Sequence, residues 1–204
     1  MKKKITIVCL VLIILLVTVC ISACTDAMTD SLRTINTLLR KQYDSVSFAV
    51  KTGKDGLELN ALYTFVKDGD KTNIEYYADR LNNFDVNGSA VGSPNGFITR
   101  VSGSAVFDGK TVTHVDGEAV DENIILDTVE PRITFIASYF NNAKFTNSSF
   151  SADVVNPDGF MGQENFDAAD MKVQVLYNAS MLGSIKISYK TADGAEVSMS
   201  YLFA

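Results

Sequence analysis

The sequence is poor in the residues that build metal sites and disulfides. It has no tryptophan, one histidine and three prolines, and its three cysteines all lie within the first 24 of 204 residues. After Cys24 the chain therefore lacks the thiols for a disulfide and the Cys and His pairs for a zinc site. We expect no metal, no cofactor and no disulfide, so packing must stabilise the fold.

Positive charge is also scarce. Lys2, Lys3 and Lys4 are the only charged residues of the first 23, and the remainder holds 15 basic and 24 acidic side chains, a net charge of about −9. A surface with this balance repels polyanions, and no glycine-rich loop ends in the Lys-Ser or Lys-Thr pair of a phosphate cradle. We expect no nucleic acid among the partners.

Familiar catalytic patterns are missing as well. A Ser-His-Asp triad would need His114, but no Gly-x-Ser-x-Gly precedes a candidate serine. Ser102-Gly103-Ser104 is interpreted instead as a strand whose small residues make room for a neighbour. The chain is predicted not to be an enzyme. A hydrolase that uses buried carboxylates stays open only if two facing acids have strongly raised pKa values.

The one long apolar run lies at the start. Three lysines precede Ile5 to Val19, and Ile21-Ser22-Ala23-Cys24 has the aliphatic-small-small-cysteine order of a bacterial lipobox. We predict a lipoprotein signal peptide over residues 1–23 and lipidation of Cys24. Residues 24–204 would then form a single domain, held at the extracytoplasmic face of the cell membrane by acyl chains. An uncleaved anchor is the alternative, because Ile5 to Ala23 is just long enough to span a bilayer.

The exported part begins with a helical pattern and continues with strands. Helical spacing over 25–42 predicts an amphipathic helix with an apolar face of Met28, Leu32, Ile35, Leu38 and Leu39. From residue 45 on, apolar and polar residues alternate, which is typical of strands. Turn sequences that contain Asp-Gly separate several of these runs, so we predict hairpins at Gly53 to Gly56, Asp68-Gly69, Asp108-Gly109 and Asp193-Gly194.

One stretch interrupts the strands. Pro131 is followed by apolar residues at helical spacing, which predicts a short helix over 131–142. Residues 145–155 and 171–177 are predicted as strands, and 81–94 and 156–169 as loops. The expected fold is α+β, mainly β: a strongly curved antiparallel sheet, an incomplete barrel, with an N-terminal helix and a short lid helix on its concave side.

Aromatic side chains are the remaining candidates for a site, since the chain has 12 phenylalanines and eight tyrosines. They line either a cavity or a filled core. The candidates for a cavity wall are Phe48, Tyr63, Phe65 and Tyr76 on the sheet, and Phe135, Ile136, Tyr139 and Phe140 on the short helix.

The strand-turn-strand segments resemble those of a known family. The closing segment Leu182 to Tyr189, Asp193-Gly194 and Val197 to Phe203 is similar to the last hairpin of LolA/LolB-like (LppX/LprG-like) bacterial lipoproteins, as are Tyr63 to Lys71 and Ala105 to Lys110. The resemblance implies an incomplete barrel with a helical lid and an apolar cavity that takes up acyl chains. This chain differs from the soluble carriers of that family because its own lipidation is predicted.

The predicted function is that of a membrane-anchored surface lipoprotein that binds a lipid or other hydrophobic ligand in a sheet-and-lid cavity. The alternative is a non-catalytic structural or interaction module of the cell envelope whose concave side is filled by its own side chains. A cavity smaller than roughly 300 Å³ would favour the module.

Overall fold

The computed structural model describes residues 27–82, 97–118 and 132–204 of the chain. Its first element, helix α1, covers residues 27–39 and confirms the predicted N-terminal helix over that range. Leu32, Ile35 and Leu38 are at most 3% exposed and face the core. None of the helices in the described ranges is both long and apolar enough to cross a membrane. The predicted signal peptide and Cys24 lie outside these ranges.

Ten antiparallel strands form one unclosed sheet, in the order β5-β4-β3-β2-β1-β10-β9-β8-β7-β6. The first and last strands therefore pair with each other in the middle, and among the described residues β5 and β6 are the two edges. This confirms the mainly β fold with an incomplete barrel. The strands are β1 (Ser45–Lys54), β2 (Leu57–Asp68), β3 (Lys71–Asn82), β4 (Phe97–Phe107), β5 (Val112–Gly117), β6 (Phe140–Phe145), β7 (Ser149–Val154), β8 (Ala169–Tyr177), β9 (Leu182–Lys190) and β10 (Glu196–Phe203).

The predicted Asp-Gly hairpins are confirmed. Asp55 and Gly56, between β1 and β2, have φ values of 51° and 80°, which suit a tight turn between twisted strands. Two of the hairpin ends are also joined, because Lys54 Nζ lies 2.7 Å from a carboxylate oxygen of Asp193. This hydrogen bond, with a second one from Thr191, lowers the pKa of Asp193 to about 2.

The helix predicted over 131–142 is wrong from residue 132 onward. Residues 132–136 are not helical, Ala137–Tyr139 form a single 3₁₀ turn, and Phe140 begins β6. The side chains of Ile133 and Phe135 are both buried, at 5% and 2% exposure. Burial of every second residue is typical of an extended chain. The prediction was wrong because the other apolar residues have helical spacing.

Two further predictions change in detail. Residues 145–155, predicted as one strand, contain the end of β6, a turn and β7. The predicted loop at 156–169 contains a short helix, α2 (Pro157–Met161), capped by the Asn156 side chain, which accepts a hydrogen bond from the Gly159 N–H. Residues 81 and 82 of the other predicted loop belong to β3, and residues 83–94 lie outside the described residues.

A row of directly paired residues crosses all ten strands, and we call it the central belt. From β6 to β5 it consists of Phe145, Phe150, Val175, Ile185, Tyr201, Phe48, Tyr63, Tyr76, Gly103 and Gly117. The Tyr201 and Phe48 ring centroids are 4.6 Å apart, and each of the next two neighbouring pairs is 6.0 Å apart. Each such aromatic pair adds about 0.5–1.5 kcal/mol to the burial energy. The belt thus fills the middle of the sheet's inner face.

Candidate ligand site at the end of the N-terminal helix

The side chain of Tyr43 fixes the C-terminal end of α1 against the sheet. Its hydroxyl donates to the carbonyl oxygen of Leu38 and accepts from the backbone N–H of Leu182, each at 3.0 Å. Its ring lies on Phe203 of β10, with centroids 4.9 Å apart. The end of the helix is therefore joined to both β9 and β10.

A cleft of about 630 Å³ opens beside this helix end, and we call it the helix-end cleft. Val46 of β1 is directly paired with Phe65 of β2 and Phe203 of β10, so neighbouring strands supply most of its floor. Phe107 of β4 and Leu39 of α1 complete the apolar lining. The volume lies within the range of about 300–1,000 Å³ that is typical of small-molecule sites.

The rim of the cleft is cationic. Arg40 and Lys41 follow the last helical residue, and Lys67 lies near the end of β2. Lys41 Nζ donates to the carbonyl oxygen of Ser180 at 2.7 Å, and Lys67 Nζ donates to the amide oxygen of Gln42 at 2.8 Å. Within the described residues, these two ammonium groups have neutral acceptors and no carboxylate as ion-pair partner.

A second space, of about 620 Å³, lies on the other side of α1. Asn36 joins α1 to the segment that borders this space: its side-chain amide donates to the Phe135 carbonyl at 2.7 Å and accepts from the Phe135 N–H at 3.0 Å. Arg40 lines both this space and the helix-end cleft. The helix is thus held at two points along its length, one on each side.

A larger groove, of about 1,000 Å³, involves β1, β2 and β7–β10 and is lined mainly by polar and charged side chains. Two of its lysines are paired with acids: Lys51 with Glu58 at 2.5 Å, and Lys190 with Glu196 at 3.6 Å. The hydrogen bond from Lys51 lowers the pKa of Glu58. Because its charges are partly neutralised and its lining is mainly polar, this groove suits a hydrophobic ligand less well than the helix-end cleft.

The structure divides the eight predicted cavity residues among several places. Phe48, Tyr63 and Tyr76 belong to the central belt and are at most 4% exposed. Of the eight, Phe65 is the one in the floor of the helix-end cleft, while Phe135 and Ile136 line the second space.

Two of the eight belong to a cluster of phenylalanines. Phe135 and Phe140 pack with Phe150 and Phe160, with ring centroids between 5.2 and 6.0 Å apart. Tyr139 is half-buried and lies beside Gly159 of α2. This cluster fills the concave side near β6 and β7, so these rings pack against one another in the described structure.

Sequence reasoning missed most of the lining of the helix-end cleft. Leu39 was assigned to the buried face of α1, and Phe203 to the closing hairpin, without a link between them. Phe203 reaches the cleft because β10 pairs with β1. A usable signal was the cluster of cations: Arg40, Lys41 and Lys67 all follow apolar runs of the acidic part of the chain.

The pKa values of the carboxyl groups test the alternative of a hydrolase that uses two facing acids with raised pKa values. Among the described residues, every carboxyl group whose pKa departs clearly from its ordinary value has a lowered pKa: Glu58, Asp79, Asp108 and Asp193. For Asp79 the cause is the hydrogen bond from Arg100, at 2.9 Å. A facing pair of acids with raised pKa values is not found in this part of the chain.

Potential metal ligands are also dispersed. In the ranges that the structure describes, no group of three or more His, Cys, Asp or Glu side chains is placed to hold a metal ion. His114 is directly paired with Ala105 of β4, and its Nδ1 atom is buried without a hydrogen-bond partner among those residues.

Comparisons with known proteins give little guidance. No family model and no curated protein matches the chain. Among solved structures, a redesigned β-barrel aligns with 78% of this chain and 89% of its own, at 13% sequence identity and a TM-score of 0.19. A TM-score of that size supports no inference about fold or function.

Proposed function

We propose that this chain is a membrane-anchored surface lipoprotein that binds a lipid or other hydrophobic ligand in the helix-end cleft, with α1 as the lid. The observation that carries the proposal is a cleft of about 630 Å³ with an apolar floor between the helix end and the sheet. Lipidation of Cys24 would hold the domain at the extracytoplasmic face of the cell membrane. The anchoring part rests on the lipobox alone.

The floor suggests how a ligand enters. Phe65, Phe107 and Phe203 are at most 7% exposed, whereas Leu39 and Val46 are partly exposed. A hydrocarbon chain would therefore touch Leu39 and Val46 first, and outward movement of the end of α1 would expose more of the rings to it. The Tyr43 hydrogen bonds that hold this end contribute about 0.5–1.5 kcal/mol each. Burial of a few methylenes, at about 0.8 kcal/mol each, offsets their loss.

Photo-crosslinking to the full chain tests the proposal. Two probes are used, a diazirine-bearing hexadecanol and a diazirine-bearing hexadecanoic acid, and the labelled peptides are mapped by mass spectrometry. We expect label at Leu39, at Val46 and on the strand that contains Phe65, and loss of that label when excess unlabelled lipid competes.

A matched pair of valine variants controls this experiment. Val46→Asp puts a carboxylate in the floor and should reduce the labelling several-fold. Val66→Asp places the same charge on the neighbouring strand, where Val66 is 46% exposed, and should leave the labelling unchanged. Circular dichroism checks that both variants fold. Label confined to residues 5–23 or to the outer face of the sheet, with either probe, would contradict the proposal.

The central belt favours a second candidate, the non-catalytic structural or interaction module with a filled core. The contiguous rings of Tyr201, Phe48, Tyr63 and Tyr76 occupy the middle of the inner face. If neither probe labels the cleft residues, this candidate replaces the first.

A further inference from the structure

The helix-end cleft combines an apolar floor with a cationic mouth, and this combination restricts the class of ligand. The inference that follows rests on the proposed function and goes on to the chemistry of the ligand's head. We infer that the cleft selects an amphiphile with an acidic head, a lipid carboxylate or a lipid phosphate, which binds at Arg40, Lys41 and Lys67 while its hydrocarbon tail lies on the floor.

The cations at the mouth come from two elements that are distant in the sequence. Arg40 and Lys41 stand at the end of α1, where the helix dipole alone would favour positive charge. Lys67 belongs to β2, where the dipole of α1 offers no reason for a cation. The sheet nevertheless brings it to the same cleft. A site for an anion accounts for all three.

The charge of the mouth is not balanced within the described residues. Asp70 also lines the cleft, but none of the ion pairs formed within the described ranges joins it to Arg40, Lys41 or Lys67. The chain as a whole carries a net charge of −6, so three cations around one cleft are unusual for this acidic protein. An anionic head would supply the missing counter-charge.

The present hydrogen bonds of the two lysines are readily exchanged. Lys41 donates to the carbonyl oxygen of Ser180, and Lys67 to the side-chain oxygen of Gln42, which are neutral acceptors. A hydrogen bond from an ammonium group to a carboxylate or phosphate is charge-assisted at both ends and is stronger than one to a neutral oxygen. Both lysines would therefore gain by turning to an acidic head.

The arrangement also fixes the orientation of the ligand. Val46, Phe65 and Phe203 form the floor, while Lys67 lies two residues beyond Phe65 on the same strand. A single-chain amphiphile can thus place its tail along the paired strands and its head at the end of α1. An uncharged lipid would fill the floor but leave the cations without a partner.

The test compares heads on a constant tail. The full chain is labelled with the diazirine-bearing hexadecanol, and unlabelled hexadecanoic acid, hexadecyl phosphate, hexadecanol and methyl hexadecanoate compete for the cleft residues. We expect at least one of the two acidic lipids to compete about tenfold better than the two neutral ones at neutral pH. The better of the two identifies the head as carboxylate or phosphate.

Two lysine variants make the comparison specific. Lys67→Gln should remove most of the preference for the acidic lipids over the two neutral ones. Lys186→Gln is the control, because Lys186 is an exposed residue of β9 outside the helix-end cleft and its loss changes the net charge equally. It should keep the full preference.

The outcomes separate this inference from the proposed function. Equal competition by acidic and neutral lipids at the cleft would overturn the acidic head and leave hydrophobic binding intact. A preference that survives Lys67→Gln, or that falls equally with Lys186→Gln, would also overturn it. Absence of cleft labelling with both the alcohol and the acid probe would overturn the proposed function, and the inference with it.

Discussion

At the scale of single residues, the central belt has a glycine next to Tyr76 for a steric reason. A Cβ atom on Gly103 would lie 2.5 Å from the Tyr76 hydroxyl oxygen and 2.7 Å from the carbonyl oxygen of Asp116. The Tyr76 ring therefore lies over Gly103, and its hydroxyl donates to the carbonyl oxygen of Glu118. The space that the sequence predicted beside Ser102 and Ser104 is thus taken up by Tyr76.

We predict that Gly103→Ala destabilises the fold by about 1–3 kcal/mol, since Tyr76 must leave its position or the β4–β5 pairing must open. Gly53→Ala is the matched control, because Gly53 also lies in a strand and its added Cβ meets a single atom, the Leu57 carbonyl oxygen at 3.8 Å. That variant should be neutral or slightly stabilising. Urea unfolding followed by circular dichroism measures both. Equal midpoints for the two variants would contradict the steric argument.

At the scale of elements, the position of α1 depends on one side chain that forms hydrogen bonds with the backbone of a distant segment. Asn36 satisfies both the N–H and the carbonyl oxygen of Phe135, in a partly buried position. Removal of this side chain leaves both backbone groups without their partner, which costs more than a neutral hydrogen bond contributes. If α1 acts as the proposed lid, the Asn36–Phe135 hydrogen bonds would limit its movement together with those of Tyr43.

We predict that Asn36→Ala lowers the free energy of unfolding by about 1–3 kcal/mol and speeds hydrogen exchange in the second half of α1. Thr37→Ala is the control on the same helix, because the exposed Thr37 hydroxyl donates to Arg33 within α1. It should change stability by less than about 0.5 kcal/mol. Exchange that rises as much in β8 and β9 as in α1 would show global loosening and contradict a local clamp.

Elements were predictable from the sequence where one local rule decided them. Helix α1 has a single apolar face, and the Asp-Gly turns need a positive φ that few residues adopt, so both were recovered. The segment 132–142 obeys two periods at once. Ile133 and Ile136 suit a helix, but Ile133 and Phe135 are the pair that the structure buries. Whether this segment is helical or extended depends on the packing of Phe140 and Phe160 against Phe135. The local sequence does not reveal that packing.

At the scale of the whole molecule, the candidate site depends on a pairing between the two ends of the domain. Val46 meets Phe203 because β1 lies beside β10. More than 150 residues separate these positions in the sequence, so no periodicity indicates the contact. Phe65 was predictable as a cavity candidate because it is an aromatic residue in an alternating run, whereas the place of Phe203 beside Val46 was not. The cleft thus depends on the pairing of the first strand with the last.

The position of the helix also relates the cleft to the proposed anchor. Helix α1 over residues 27–39 is about 20 Å long at 1.5 Å per residue. Cys24 stands just before its first described residue, and the helix-end cleft lies at its other end. An anchor at Cys24 would therefore hold the domain by the end of α1 that is remote from the helix-end cleft.

The anchor itself is open to a direct test in a bacterial host that processes lipoproteins. We predict that the full chain incorporates radiolabelled palmitate and stays with the membrane fraction, and that Cys24→Ser reduces the label to background. Cys20→Ser should label normally, because Val19 is too bulky for the small-residue position before a modified cysteine. If the label survives Cys24→Ser but is lost with Cys20→Ser, Cys20 and not Cys24 is the lipidated residue. Absence of label from every form would contradict lipidation. The domain would then be held by the uncleaved run Ile5 to Ala23, or would not be anchored, and its ligand binding would be unaffected.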